Sequence, residues 1–96
     1  MLLSQCFERD PAIVTRRIAA EVVLVPVRNS SSDMGAIFAL NDTAAFVWNR
    51  LARPATIAEL AAALVTEYDV DAAQAQHDVL ELLDQFTEAQ VIREVV

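Results

Sequence analysis

The side chains that could take part in chemistry are few, and their spacing matches no catalytic pattern. Cys6 is the single cysteine and His77 the single histidine of the 96 residues. The sequence shows no Cys–His pair beside an orienting carboxylate, no HExxH pattern and no glycine-rich phosphate loop, since Gly35 is the one glycine. We therefore predict that the chain is not an enzyme and that it holds no metal ion and no cofactor.

The carboxylates are numerous, but their spacing is typical of a solvated surface. Asp78, Glu81, Asp84 and Glu88 recur every three to four residues, which places them on one side of a helix. None of them stands in an apolar stretch that would tune it for acid or base catalysis. We interpret the row as a solvated helix face that could also serve as a docking surface.

The charge distribution argues against a nucleic-acid partner. The net charge is −7, and all seven basic residues are arginines. From Thr56 onward the chain carries nine acidic residues and one base, Arg93. Because nucleic-acid binding depends on basic groups that neutralise phosphates, the C-terminal half would repel such a partner.

Length and composition bound the architecture. A chain of 96 residues that is 55% hydrophobic predicts a single domain, with residues 11–92 as its core and residues 1–10 as an irregular segment. One cysteine allows no intrachain disulfide and favours a reducing, cytoplasmic setting. The longest apolar run, residues 22–27, is far shorter than the roughly 20 residues of a membrane span, so no membrane association is expected.

Valine-rich segments in the first half predict three strands. Residues 13–20 and 21–28 are rich in β-branched side chains and are expected to pair as neighbours. A polar loop at residues 29–33 leads to a third strand at residues 34–40, in which Ala36, Phe38 and Leu40 share one face.

The hydrophobic period then changes to that of helices. The predicted helices run from Asn41 or Asp42 to about Ala52, from the Thr56–Glu59 capping box to about Tyr68, and from Asp69 or Asp71 to about Ala89. Residues 91–96 could form a short closing strand. Three antiparallel strands followed by three helices constitute an α+β fold whose helical half is winged-helix-like.

Several side chains have a structural explanation that competes with a functional one. Trp48 is expected to be a core anchor, and Val79, Leu82, Leu83 and Phe86 to be core residues of the third helix. Leu80 lies to one side of that apolar stripe, so it is the better candidate for contact with a ligand. We expect a hydrogen-bonded or solvated Asp78 and a solvated His77, while one of the adjacent arginines Arg16 and Arg17 could meet acidic residues of the helices.

A series of short motifs, in this order, resembles one known family. The motifs are Arg17-Ile18, Glu21 and Leu24-Val25-Pro26-Val27; then Phe38-Ala39-Leu40-Asn41, Ala45-Phe46-Val47-Trp48 and Leu51; and finally Thr56-Ile57-Ala58-Glu59-Leu60, Tyr68-Asp69-Val70-Asp71, Asp78-Val79, Leu82-Leu83 and Phe86. This series is similar to the PqqD-like family, the recognition elements of ribosomally made, modified peptides. The resemblance covers residues 11–92 and lies closer to the broad family than to its members dedicated to pyrroloquinoline quinone synthesis.

The resemblance implies how the protein would bind its ligand. In the family, the leader segment of a precursor peptide adds as a strand to the third strand and rests against the third helix. Strand addition takes its affinity from main-chain hydrogen bonds and its selectivity from side-chain pockets. Carried onto this chain, the peptide-binding residues would be Gly35, Ala36, Ile37, Phe38, Ala39 and Leu40 of the strand, and His77, Asp78, Leu80 and Leu83 of the helix.

Two turn positions depart from the family pattern. Family members often have a glycine before the last apolar pair, where this chain has Gln90, and a glycine after the first helix, where it has Arg53-Pro54. These departures concern the geometry of the two turns.

The function that the resemblance implies is that of a non-catalytic adaptor. It would capture a leader peptide and present it to a separate modifying enzyme, such as a radical-SAM protein, a leader peptidase or a cyclase. Two alternatives stand beside it: a winged-helix DNA-binding regulator, and a structural domain that forms a homodimer through its open strand edge. The five acidic residues and absent lysines and arginines of residues 71–89 argue against the regulator.

Overall fold

The structure, a computed structural model, describes residues 3–26 and 38–95. Its elements within these ranges are β1 (Cys6–Arg9), β2 (Ile13–Ile18), β3 (Glu21–Pro26), β4 (Phe38–Leu40), α1 (Asp42–Arg50), β5 (Ala55–Thr56), α2 (Ile57–Tyr68), α3 (Ala72–Glu88) and β6 (Ile92–Val95). The predicted α+β fold, with three antiparallel strands followed by three helices, is confirmed.

Strands β2, β3 and β4 form one antiparallel sheet in that order. Thr15 lies opposite Leu24, while Arg16 lies opposite Val23, which in turn lies opposite Ala39. Leu24 belongs to the hydrophobic core, so the side of the sheet that carries Thr15 and Leu24 is its inner face. The side that carries Arg16, Val23 and Ala39 is its outer face.

A second sheet has the strand order β5-β1-β6. The prediction of an irregular segment over residues 1–10 was wrong for β1, which pairs with both β5 and β6. Glu8 lies opposite Arg93, and the two side chains form an ion pair of 2.8 Å. Strand β1 has four residues and one buried side chain, Phe7, so it shows no recognisable alternation of buried and exposed residues. It forms because its partner strands, β5 and β6, which lie far along the chain, pair with it.

The helices begin at capping residues. The side chain of Asn41 accepts a hydrogen bond from the backbone N–H of Ala44 at 2.8 Å, so Asn41, and not Asp42, is the cap of α1. Thr56 and Glu59 form the predicted capping box at the start of α2. Asp71 caps α3. Each cap satisfies backbone donors that the first turn of a helix leaves unpaired.

Gln90 stands where family members often have a glycine, and its backbone adopts a conformation that favours glycine. Its φ is 62°, in the left-handed region. Its N–H donates to Thr87, and the next N–H, that of Val91, donates to Phe86, which is the Schellman arrangement that ends a helix. The turn geometry is therefore the one a glycine would give. After α1, by contrast, Leu51 to Pro54 have no positive φ, so Arg53-Pro54 replaces a glycine without strain.

The core is one hydrophobic cluster to which both sheets and all three helices contribute. Its largest side chain, Trp48, is fully buried, as predicted. The apolar stripe of α3 buries Ala75, Val79, Leu83 and Phe86, while Leu82 packs against the cluster from its margin. No helix in the described ranges is long and apolar enough to cross a membrane.

Trp48 connects three elements to α1. Its indole Nε1–H donates to the hydroxyl oxygen of Thr15 on β2 at 2.7 Å, and its ring meets that of Phe86 on α3 edge to face, with the centroids 5.6 Å apart. The guanidinium of Arg9 on β1 donates twice to the carbonyl oxygen of Trp48, at 2.8 and 3.1 Å, and lies 4.7 Å from the ring centroid. Desolvation by partial burial lowers the pKa of Arg9, yet arginine remains charged in proteins.

The hydrogen bond between Trp48 and Thr15 gives a direct stability prediction. Thr15→Val keeps the shape of the side chain but leaves the buried indole N–H without its acceptor, so we expect a loss of about 1–3 kcal/mol in the free energy of unfolding. Urea denaturation followed by the fluorescence of the single tryptophan measures it. As a matched control, Thr66→Val on the exposed side of α2 should change stability by less than about 0.5 kcal/mol. An equal effect of the two substitutions would contradict the assignment.

Candidate peptide-binding site

Strand β4 forms an edge of its sheet. It pairs with β3 through Phe38, Ala39 and Leu40, and no strand in the described part of the chain pairs with its other side. In an antiparallel ladder, alternate residues direct their N–H and C=O groups to opposite neighbours. The free side of β4 therefore offers backbone donors and acceptors to an added strand.

The six strand residues predicted to bind peptide divide into two groups. Gly35, Ala36 and Ile37 lie outside the described residues. Phe38, Ala39 and Leu40 form β4 itself. Ala39 is exposed on the outer face, whereas Leu40 is 7% exposed and belongs to the core. The side chains of Ala39 and Leu40 thus lie on opposite faces of the sheet.

The two leucines predicted on α3 differ in accessibility. Leu83 is 0% exposed and packs within the core, so its side chain is not available at the surface of this structure. Leu80 is partly buried and packs against the margin of the same cluster. Leu80 is therefore the residue of this pair that can contact a ligand directly.

The two polar residues predicted on α3 have local partners. Asp78 accepts a hydrogen bond of 2.8 Å from the side-chain amide of Gln74, one turn earlier. The imidazole Nε2 of His77 lies 3.7 Å from a carboxylate oxygen of Glu81, and the two side chains are 66% and 65% exposed. Pairs of this kind on a helix surface contribute little to stability. No group of three metal-ligating residues occurs in the described ranges.

Asp78 and Leu80 lie on opposite sides of the buried stripe of α3. At about 100° per residue, the two positions are roughly 200° apart around the helix when measured across the core side, and about 160° apart across the solvent side. A peptide strand that lies along one side of α3 can therefore contact one of the two residues and not both. The sequence pattern predicted a single set, and the geometry of the helix divides it into two alternatives.

A groove between α1 and α2 was not anticipated from the sequence. It encloses about 740 Å³ and is lined by Phe46, Leu60 and Ala63, with Arg50 and Glu67 among its charged residues. The Arg50 guanidinium lies 5.7 Å from the centroid of the Phe46 ring. Its residues belong to two helices and the turn between them, so no local motif could have marked it. Its mixed charge shows no preference for a ligand of one sign.

Two solved structures, each described as a complex with a leader peptide, are similar to this chain. The chain is similar to a structure described as "Lasso peptide synthetase B1 complexed with the leader peptide", with 29% sequence identity, 91% of this chain and 96% of that chain covered, and a TM-score of 0.75. It shares its fold with "TbiB1 in Complex with the TbiA(beta) Leader Peptide", at 23% identity, with 90% and 94% of the two chains covered and a TM-score of 0.75.

The family comparison agrees with the motif series. No curated protein matches the chain. The family described as "Coenzyme PQQ synthesis protein D (PqqD)" matches over residues 21–92, which span strands β3 and β4, all three helices and the start of β6. This chain belongs to the PqqD family.

Proposed function

We propose that this chain is a non-catalytic adaptor that binds the leader of a ribosomally made precursor peptide and presents the precursor to a modifying enzyme. The observation that carries the proposal is the side of β4 that no described strand pairs with, in a fold that a relative of 29% identity shares in a leader-peptide complex. The leader would add to β4 as a further antiparallel or parallel strand of the sheet.

The energetics of strand addition fit such an adaptor. Each new backbone hydrogen bond contributes a net of about 0.5–1.5 kcal/mol, and a disordered leader loses conformational entropy when it docks. A three-residue edge such as β4 supplies few of these bonds. Apolar contacts between the leader and α3 would supply the remaining free energy.

Of the two sides of α3, we assign these contacts to the one that carries Leu80. Leu80 is partly buried and packs against the core cluster, and a partly exposed leucine gains free energy when a peptide covers it. Asp78 already has a hydrogen-bond partner on its own helix, and burial beneath a peptide would cost it solvation. His77 lies between the two sides and faces solvent.

The partner enzyme would be one that acts on a leader-bearing precursor. A radical-SAM protein, a leader peptidase and a cyclase all fit this description, and the relative described as a lasso peptide synthetase component favours an enzyme of lasso peptide assembly. We place the adaptor in the cytoplasm, where precursors are translated and where an isolated thiol such as Cys6 remains reduced.

DNA binding is the weaker alternative. The exposed surface of α3 carries Glu81, Asp84 and Glu88, and the helix has no lysine or arginine. A recognition helix depends on basic contacts to phosphates and on arginine or amide contacts to bases. The acidic face of α3 would repel the DNA backbone.

Backbone methylation of the leader tests strand addition without altering the protein. The ligand is a synthetic leader from a precursor gene adjacent to that of this chain, N-methylated at one residue at a time. Because alternate N–H groups of an added strand point toward β4, every second methylation should weaken binding by about 2- to 12-fold. Calorimetry measures the affinities. Losses that recur every three or four residues, or no losses, would contradict strand addition.

A pair of substitutions tests which side of α3 contacts the leader. Leu80→Gln removes apolar area from the proposed contact and should weaken leader binding by about tenfold or more, equivalent to about 1.4 kcal/mol. Asp78→Ala, on the other side of the helix, should change the affinity by less than about twofold. Fluorescence anisotropy of a labelled leader gives both values, after circular dichroism has shown both variants to be folded. The reverse ranking would move the leader contact to the Asp78 side.

A further inference from the structure

Strand β2 forms the other edge of the sheet, separated from β4 by β3. All six of its residues pair with β3, from Ile13 opposite Pro26 to Ile18 opposite Glu21. In the described ranges, no backbone group of Val14 to Ile18 bonds to a residue beyond this ladder. The edge of β2 that points away from β3 is therefore regular, and it is longer than the described part of β4.

The outer face of β2 carries a row of apolar, cationic and apolar side chains. Val14 and Ile18 are 37% and 56% exposed, and only two other large apolar side chains of the described residues, Leu3 and Tyr68, are exposed. Arg16 stands between them and is exposed as well. Neither Arg16 nor Arg17 forms an ion pair with a described residue, so the expectation that one of them would meet acidic residues of the helices was wrong. Among the described residues, this exposed cation between two exposed apolar side chains has no acidic partner.

A second copy of the chain does not supply that partner. When two β2 strands pair antiparallel about a twofold axis normal to the sheet, the register that sets Val14 against Ile18 sets Arg16 against its own counterpart. Like charges directly opposite each other on neighbouring strands are destabilising. A shift of two residues avoids this contact, but it sets Arg16 against Val14 or against Ile18, depending on its direction, and loses the apolar pairs. Arg16 therefore disfavours pairing of the β2 edge with a second copy of itself.

We propose that the β2 edge binds an extended strand of a different protein, one that sets a carboxylate against Arg16 and apolar side chains against Val14 and Ile18. The same arginine that repels a second copy would then form a cross-strand ion pair. Main-chain hydrogen bonds along six residues would supply the affinity, and the charge would supply the selectivity. This edge does not depend on leader binding, because β3 separates it from β4 and both edges can be occupied together.

A charge-reversed copy of the chain serves as the probe. R16E carries a carboxylate between Val14 and Ile18. In the register that sets Val14 against Ile18, this carboxylate lies opposite Arg16 of a wild-type chain, where two wild-type chains would set arginine against arginine. Sedimentation equilibrium should find wild type and R16E each at the monomer mass of 10.5 kDa. Their equimolar mixture, brought from about 10 μM to about 1 mM, should rise toward twice that mass. Because surface charges are screened at about 1 M salt, the mixture should return to monomers there.

R17E is the matched control. It changes the net charge by the same amount, but residue 17 faces Thr15 of the opposing strand in this register and lies on the inner face. Its mixture with wild type should remain monomeric. A mixture of wild type and R16E that stays at the monomer mass, with both proteins folded, would overturn the proposal. Arg16 would then only disfavour self-pairing of the edge. Dimers of wild type alone, or equal association with R17E, would overturn it as well.

Discussion

The contacts of one residue, Trp48, hold the sheet, the first helix and the third helix in their relative positions. Its indole N–H is bound by Thr15 of β2, its ring meets Phe86 of α3, and its carbonyl oxygen accepts two hydrogen bonds from Arg9 of β1. A buried N–H without an acceptor costs more than the bond itself contributes, so the indole ring fixes the distance between β2 and α1. Trp48 therefore links β1, β2 and α3 to α1, and these contacts explain its burial without a ligand.

On its inner face the sheet packs Leu24 and Leu40 into the core, and its two outermost strands, β2 and β4, each have one edge that no described strand pairs with. The two edges have different properties that follow from their side chains. On the described part of β4, Ala39 is small and uncharged, so a peptide of varied sequence can approach the backbone. On β2, Arg16 and its two apolar neighbours favour an acidic strand and exclude a copy of the chain itself. A sheet of three strands with one permissive and one selective edge can hold a peptide and a protein at the same time, which is what an adaptor requires.

Much of the architecture could be predicted from local patterns, because local physics determines it. The caps at Asn41, Thr56 and Asp71 are short-range hydrogen bonds, and the valine-rich strands and the apolar stripe of α3 follow the two elementary periods. Strand β1 could not be predicted, since four residues acquire their structure from β5 and β6. The contacts of Arg9 and Thr15 with Trp48 join residues that are 39 and 33 positions apart, and no pattern marks them. For the site, the sequence supplied the residues, but the division of α3 into a Leu80 side and an Asp78 side follows from the helix geometry, and Leu83 proved to be interior.

The most direct measurement of the central claim, that a leader peptide adds to β4 beside α3, is an amide NMR titration of the isotope-labelled protein with the leader of an adjacent precursor gene. We expect chemical-shift changes that saturate at micromolar leader and concentrate in residues 34–41 and along α3 around Leu80, while the amides of β2 stay unchanged. Saturable changes centred on β2 or on the groove between α1 and α2, with β4 unaffected, would contradict the account.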